Sequence, residues 1–134
     1  MELSIEPGQG VGDLLFGMTK AEVENFLGKP EDLEEGFWED GSGYEVHYYD
    51  EIGLELTFSE EQLQQIEIRA DVKWQGFAFL GKKKKKVQQW LEKKGFAFEF
   101  DDESDVFALE KESLYLWLEE GTVELIQLLP SQKD

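Results

Sequence analysis

The chain has 134 residues, 40% hydrophobic and 13% aromatic, with a formal net charge of −18. That length and apolar content predict one folded domain with its own core. The absence of cysteine excludes disulfides, thiolate metal ligands and thiol nucleophiles. The charge is uneven: residues 1–68 hold 18 Asp and Glu against 2 Lys and Arg, whereas residues 69–134 hold 13 against 11. A field of that sign repels nucleic acid and steers a basic partner toward the N-terminal half.

In chain order, "MELSIEPGQGVGDLLFGM" has no basic segment followed by an apolar run, so no export signal or membrane span is expected and the expected location is cytoplasmic. Within it, "GQGVGD" looks like a phosphate cradle. Asp13 stands where a third glycine or a lysine is wanted, so a turn feeding a helix is the expectation. The helix signals follow at once. Thr19 is an N-cap, Glu22 completes a capping box, and Met18 can staple to Val23. Val23, Phe26 and Leu27 form an apolar stripe, and Gly28 with Pro30 ends it.

Period-two alternation then predicts strands, with Leu54, Leu56 and Phe58 on one face of "LELTF". "DEIG" and "SEEQ" are hairpin-like breaks. The five lysines 82–86 precede a second stripe of Val87, Trp90 and Leu91 that stops at Gly95. This predicts a solvated helix start near the acidic half, in preference to a nucleic-acid patch. "FAFEF", the polar turn "DDESD", and "LYLWL" with Leu114, Leu116 and Leu118 complete a second meander, broken by "EEGT".

The two halves align. At an offset of 64, Gly12 meets Gly76, Gly17 meets Gly81, Val23 meets Val87 and Leu27 meets Leu91. At an offset of 60, Leu54 meets Leu114, Leu56 meets Leu116, Ile66 meets Ile126 and Ile68 meets Leu128. The expected fold is therefore α+β, a single domain over 1–134 built of two repeats, about 1–68 and 69–134. Each repeat is a helix plus an antiparallel meander, and both helices pack on one face of a combined sheet.

The helix motif, with Gly17, Met18, Thr19, Val23, Leu27, Gly28 and Pro30, resembles the Gly-Met-Thr-x-x-x-Val-x-x-x-Leu-Gly-x-Pro signature of SmpA/OmlA-type lipoprotein domains. Two such units in tandem are similar to the β-lactamase-inhibitor-protein architecture. That resemblance implies helices backing a sheet whose other face grips a partner protein. It covers the helix and its flanks, and the strands by pattern only. The lipidated cysteine of the lipoproteins and the disulfides of the inhibitor have no counterpart here, so outer-membrane assembly and β-lactamase inhibition are not carried over.

Catalytic constellations are hard to assemble from this chain. His47 is the only histidine and has no nucleophile near it in sequence, and zinc would need several His or Cys ligands. "DDESD" lacks the glycine and glutamate of a calcium loop. No enzyme, metal or cofactor is expected. With Leu114, Leu116 and Leu118 directed at the helices, the opposite face is expected to show Tyr115, Trp117, Phe107, Leu109, Val123 and Leu125 in the second half. In the first half it is expected to show Glu55, Thr57, Gln65 and Glu67 with Glu45, His47 and Tyr49. An apolar, aromatic face on a one-sided sheet marks a protein contact. The expected partner-binding residues are Tyr115, Trp117, Phe107, Leu109, Leu125, His47 and Tyr49, unless a segment such as "VKWQGFAFL" covers them. The functional expectation is a non-catalytic binding module, more narrowly an inhibitor or immunity-type protein blocking a basic enzyme or toxin. The competing expectation is a structural or assembly protein, acting as a homo-oligomer or scaffold subunit. A small-ligand or calcium-binding protein is a third class.

Overall fold

The structure is a computed structural model and describes residues 3–131. The chain opens with three short strands, β1 (Leu3–Glu6), β2 (Gly10–Val11) and β3 (Leu14–Leu15), followed by helix α1 (Lys20–Leu27). Four strands come next: β4 (Asp32–Phe37), β5 (Gly43–Tyr49), β6 (Leu54–Ser59) and β7 (Gln62–Ile68). The second half has β8 (Val72–Trp74), β9 (Phe77–Ala78) and helix α2 (Lys84–Lys94). It closes with β10 (Glu99–Asp101), β11 (Val106–Leu109), β12 (Leu114–Glu119) and β13 (Thr122–Leu128). The architecture is α+β and mostly sheet. An eight-stranded, wholly antiparallel sheet runs β10-β11-β12-β13-β7-β6-β5-β4. A smaller sheet runs β3-β2-β1-β8-β9, with β1 and β8 parallel.

The helix ends differ as their residues dictate. Thr19 Oγ1 accepts from the Glu22 N–H at 3.2 Å, and Glu22 Oε1 accepts from the Thr19 N–H at 3.0 Å, so α1 starts on a full capping box. Lys83 caps α2 with no side-chain hydrogen bond, and lysines fill a first turn whose dipole disfavours them. Packing compensates: Val87 and Leu91 are fully buried, and Trp90 stacks on Phe77 at 4.7 Å between ring centroids. Lys84 lies 3.8 Å from the Phe100 ring centroid and 3.9 Å from Asp102, so this lysine leans on its own half. In α1 Val23 is buried but Phe26 is exposed, so the first stripe is only partly inward.

One hydrophobic cluster contains Val23 of α1, Val87 and Leu91 of α2, Val72 and Trp74 of β8, and the alternate residues of the large sheet. The segment "VKWQGFAFL" contributes to the same core, with Val72, Trp74 and Phe79 buried. "GQGVGD" is a strand and a turn: Gly10 and Val11 pair with β1 and β3. Strands of two residues carry too little periodicity to stand out in sequence.

Backbone bonds recur across the halves. The Gly17 N–H donates to the Leu63 carbonyl and the Gly81 N–H to the Val123 carbonyl, both at 2.9 Å. The Arg69 N–H donates to the Gly53 carbonyl and the Leu129 N–H to the Ser113 carbonyl. Register shifts fall at Thr57/Phe58 and at Trp117/Leu118. Where β7 meets β13, Ile68 lies opposite Ile126, Glu67 opposite Gln127 and Ile66 opposite Leu128. Among the described residues no helix is long and apolar enough to cross a membrane.

Candidate functional site

Directly opposed residues in a sheet share a face, so register assigns every side chain. Leu54, Leu56, Leu114 and Leu116 are buried in the core and define the inner face. His47 lies opposite Leu56 and Tyr49 opposite Leu54, so both point inward and both are buried. Phe107 lies opposite Leu116 and Leu109 opposite Leu114, with the same outcome. The expectation that His47, Tyr49, Phe107 and Leu109 line the open face is corrected. The cause is turn length. Four residues separate Tyr49 from Leu54, and four separate Leu109 from Leu114, so odd positions of β5 and β11 share a face with even positions of β6 and β12. Val123 is also inward, because the register shift after Trp117 places it opposite Leu118. Tyr115, Trp117 and Leu125 do lie together on the outer face.

The inward groups have structural work. Tyr49 Oη donates to the Gly28 carbonyl at 2.9 Å, tying β5 to the end of α1, and burial followed by the charge of Glu24 pushes the phenol up to about 12. The His47 ring lies 4.6 Å from that of Phe58, and its Nε2 is 3.3 Å from Glu45 Oε2. Lys20 Nζ sits 2.6 Å from the same oxygen, and this ammonium above all holds Glu45 below the ordinary carboxylate range.

The outer face takes the other parity. Its centre is Glu67 and Gln65 of β7 beside Gln127 and Leu125 of β13, then Tyr115 and Trp117 of β12. Trp117 Nε1 donates to Gln127 Oε1 at 2.9 Å, and Gln65 Nε2 donates to Glu67 Oε1 at 3.1 Å. Burial and the nearby Glu55 raise the Glu67 carboxyl. Across β5 lie Tyr44, Val46 and Tyr48, residues the sequence reading passed over. Tyr44 lies over Gly36, where any side chain would collide with the ring. Trp38 packs on Tyr44 at 4.4 Å between centroids and donates to Ser59 Oγ at 3.3 Å. Tyr48 Oη donates to Glu34 Oε2 at 2.7 Å, and that carboxylate chiefly moves the phenol to about 12. Alternation in "GYEVHYY" carries the signal for these residues once the turn length is counted.

Among these outer-face side chains only Thr57 and Val106 are buried, and the others retain solvent contact. Carboxylates border both ends. Asp32, Glu34 and Glu55 lie on the β4–β6 side, and Glu99 and Asp101 lie on the β10 side. Between Glu31 and Ile68 the sequence has no Lys or Arg, and Arg69 Nη1 is bonded to Glu55 Oε1 at 2.8 Å. At the β10 end an open hollow of about 660 Å³ lies between Trp117, Tyr115 and the carboxylates of Glu99, Asp101 and Glu110. Among the described residues no three His, Cys, Asp or Glu stand together as a metal site. The chain has no match among family models, curated proteins or solved structures.

Proposed function

We propose that this chain is a non-catalytic protein-binding module that holds a basic partner on the outer face of its large sheet. The observation that carries the reading is the aromatic row on that face, Trp38, Tyr44 and Tyr48 in one half and Tyr115 and Trp117 in the other, bordered by carboxylates. Tyrosine and tryptophan give large rigid contact area at low entropic cost, and a carboxylate border steers and orients a cationic partner. An inhibitor or immunity-type protein fits this layout, since its task is to occlude a basic surface. A homodimer through the same face fits poorly, because it would set carboxylate against carboxylate on chains of net charge −18.

The reading includes an origin for the face in duplication of one helix-plus-meander unit, with both helices on the inner side. Supporting it are the paired backbone bonds, the matching register shifts, and a β7–β13 junction centred on the aligned pair Glu67 and Gln127, about which Ile66 and Ile68 face Leu128 and Ile126. Such a junction is the intrachain form of an isologous contact. The resemblance of the Thr19 helix motif to SmpA/OmlA-type units points the same way.

The test is capture of partners on the immobilised chain, comparing wild type with Trp117→Ala and Tyr44→Ala. A basic protein retained by wild type, released by salt and lost from both variants is expected. Equal recovery on all three chains would remove the aromatic face from the account.

A further inference from the structure

We infer that the open edge of β4 is a strand-addition site for an extended basic segment of a partner protein. The eight-stranded sheet has two edges, and they are finished differently. β10 has three residues, and its Phe100 is covered by Phe107 at 4.8 Å between centroids and by the Lys84 ammonium. β4 has six residues and pairs only with β5. The Trp38 N–H bonds the Ser42 carbonyl at 2.8 Å, and the register continues from that pair without a break. Antiparallel alternation then directs the backbone groups of Gly36 and Glu34 to β5, and those of Leu33, Glu35 and Phe37 to the open edge. The Leu33 N–H is met by Asp32 Oδ1 at 2.8 Å, a local acceptor that an incoming carbonyl can replace.

The side chains define the occupant. Leu33 is 50% exposed and Phe37 79%, on the inner side of the edge. Between them, Glu35 borders a hollow of about 370 Å³ lined also by Glu45, Glu60, Glu61 and Lys20. Asp32 and Glu34 project on the outer side. Exposed edges are commonly protected by charge. Here the protection is all of one sign: β4 on β4 of a second copy would oppose carboxylates, which selects against self-pairing. A strand carrying Lys or Arg opposite Asp32 and Glu34 on the outer side, and apolar residues opposite Leu33 and Phe37 on the inner side, matches this edge. Main-chain bonds would supply affinity and alternate side chains specificity.

The test is NMR on the isotope-labelled full chain with a capped peptide of alternating Lys and Val, six residues long. A block peptide of the same composition (three Lys, then three Val) and the alternating peptide N-methylated on its β4-facing residues serve as probes. The expected result is chemical-shift change confined to β4 and β5, slowed exchange of the Glu35 and Phe37 amides, and binding at least about fivefold weaker for the N-methylated peptide. Glu35→Pro, which removes an outward N–H, should weaken binding comparably. The N-methylated peptide gives the same answer should that variant not fold. Equal binding of the block peptide, shifts centred on Trp117 and Tyr115, or no binding would each overturn the inference. The second of these would leave the outer-face reading intact.

Discussion

Glu67 and Gln127 stand opposite each other at the centre of the large sheet, aligned residues of the two halves brought face to face. They differ in burden. Gln127 accepts from Trp117, whereas Glu67 is a carboxylate held half out of water beside Glu55. Burial raises the Glu67 carboxyl, so the native state holds its proton more tightly than the unfolded chain does. Stability should therefore fall as pH rises from the ordinary glutamate range through the raised value. Glu67→Gln keeps an acceptor for Gln65 and removes that loss. The expected result is a higher melting temperature at pH 7 and no gain at pH 3, by less than about 1 kcal/mol because the group is half exposed.

Lys20 and Glu45 give the opposite sign. Lys20 lowers Glu45, so their contribution is present above the ordinary glutamate range and lost as pH falls through the lowered value. Lys20→Met leaves Glu45 beside the buried His47 without its ammonium. Chemical denaturation should show a loss of about 1 kcal/mol at pH 7 that vanishes in acid.

The two helix starts offer a matched pair. Thr19→Ala removes a capping box and should destabilise by about 0.5–2 kcal/mol. Lys83→Asp places an acceptor and a negative charge where α2 has neither, and should stabilise by about 1 kcal/mol. Denaturant midpoints at unchanged slope would read both.

The β5–β6 and β11–β12 connections end in left-handed residues, Gly53 at φ 72° and Ser113 at φ 54°. A Cβ on Gly53 would lie 2.8 Å from the Arg69 carbonyl oxygen. Gly53→Ala should cost about 1–3 kcal/mol, whereas Ser113→Gly should be neutral or mildly stabilising. Thermal melts of the two variants check this contrast.

These connections also mark where legibility ended. Local grammar was readable: Thr19, Glu22 and Gly28 bound α1, and Leu54 to Phe58 form a strand with its apolar side inward. The outer residues Tyr115, Trp117 and Leu125 follow from alternation within their own strands. Parity across a hairpin does not follow from alternation, because it depends on how many residues the turn holds. With four residues in the turn, Tyr44, Val46 and Tyr48 face outward and Glu45, His47 and Tyr49 face inward. The short strands β2 and β3 are held by tertiary pairing, and their two-residue length leaves no period to detect.

Hydroxyl-radical footprinting of the chain bound to its captured partner tests the central claim most directly. The account predicts severalfold protection of Trp117 and Tyr48 together, on opposite halves of one face, with Trp90 on the inner side unchanged. Oxidation of Trp117 and Tyr48 at the same rate in free and bound chain would contradict it.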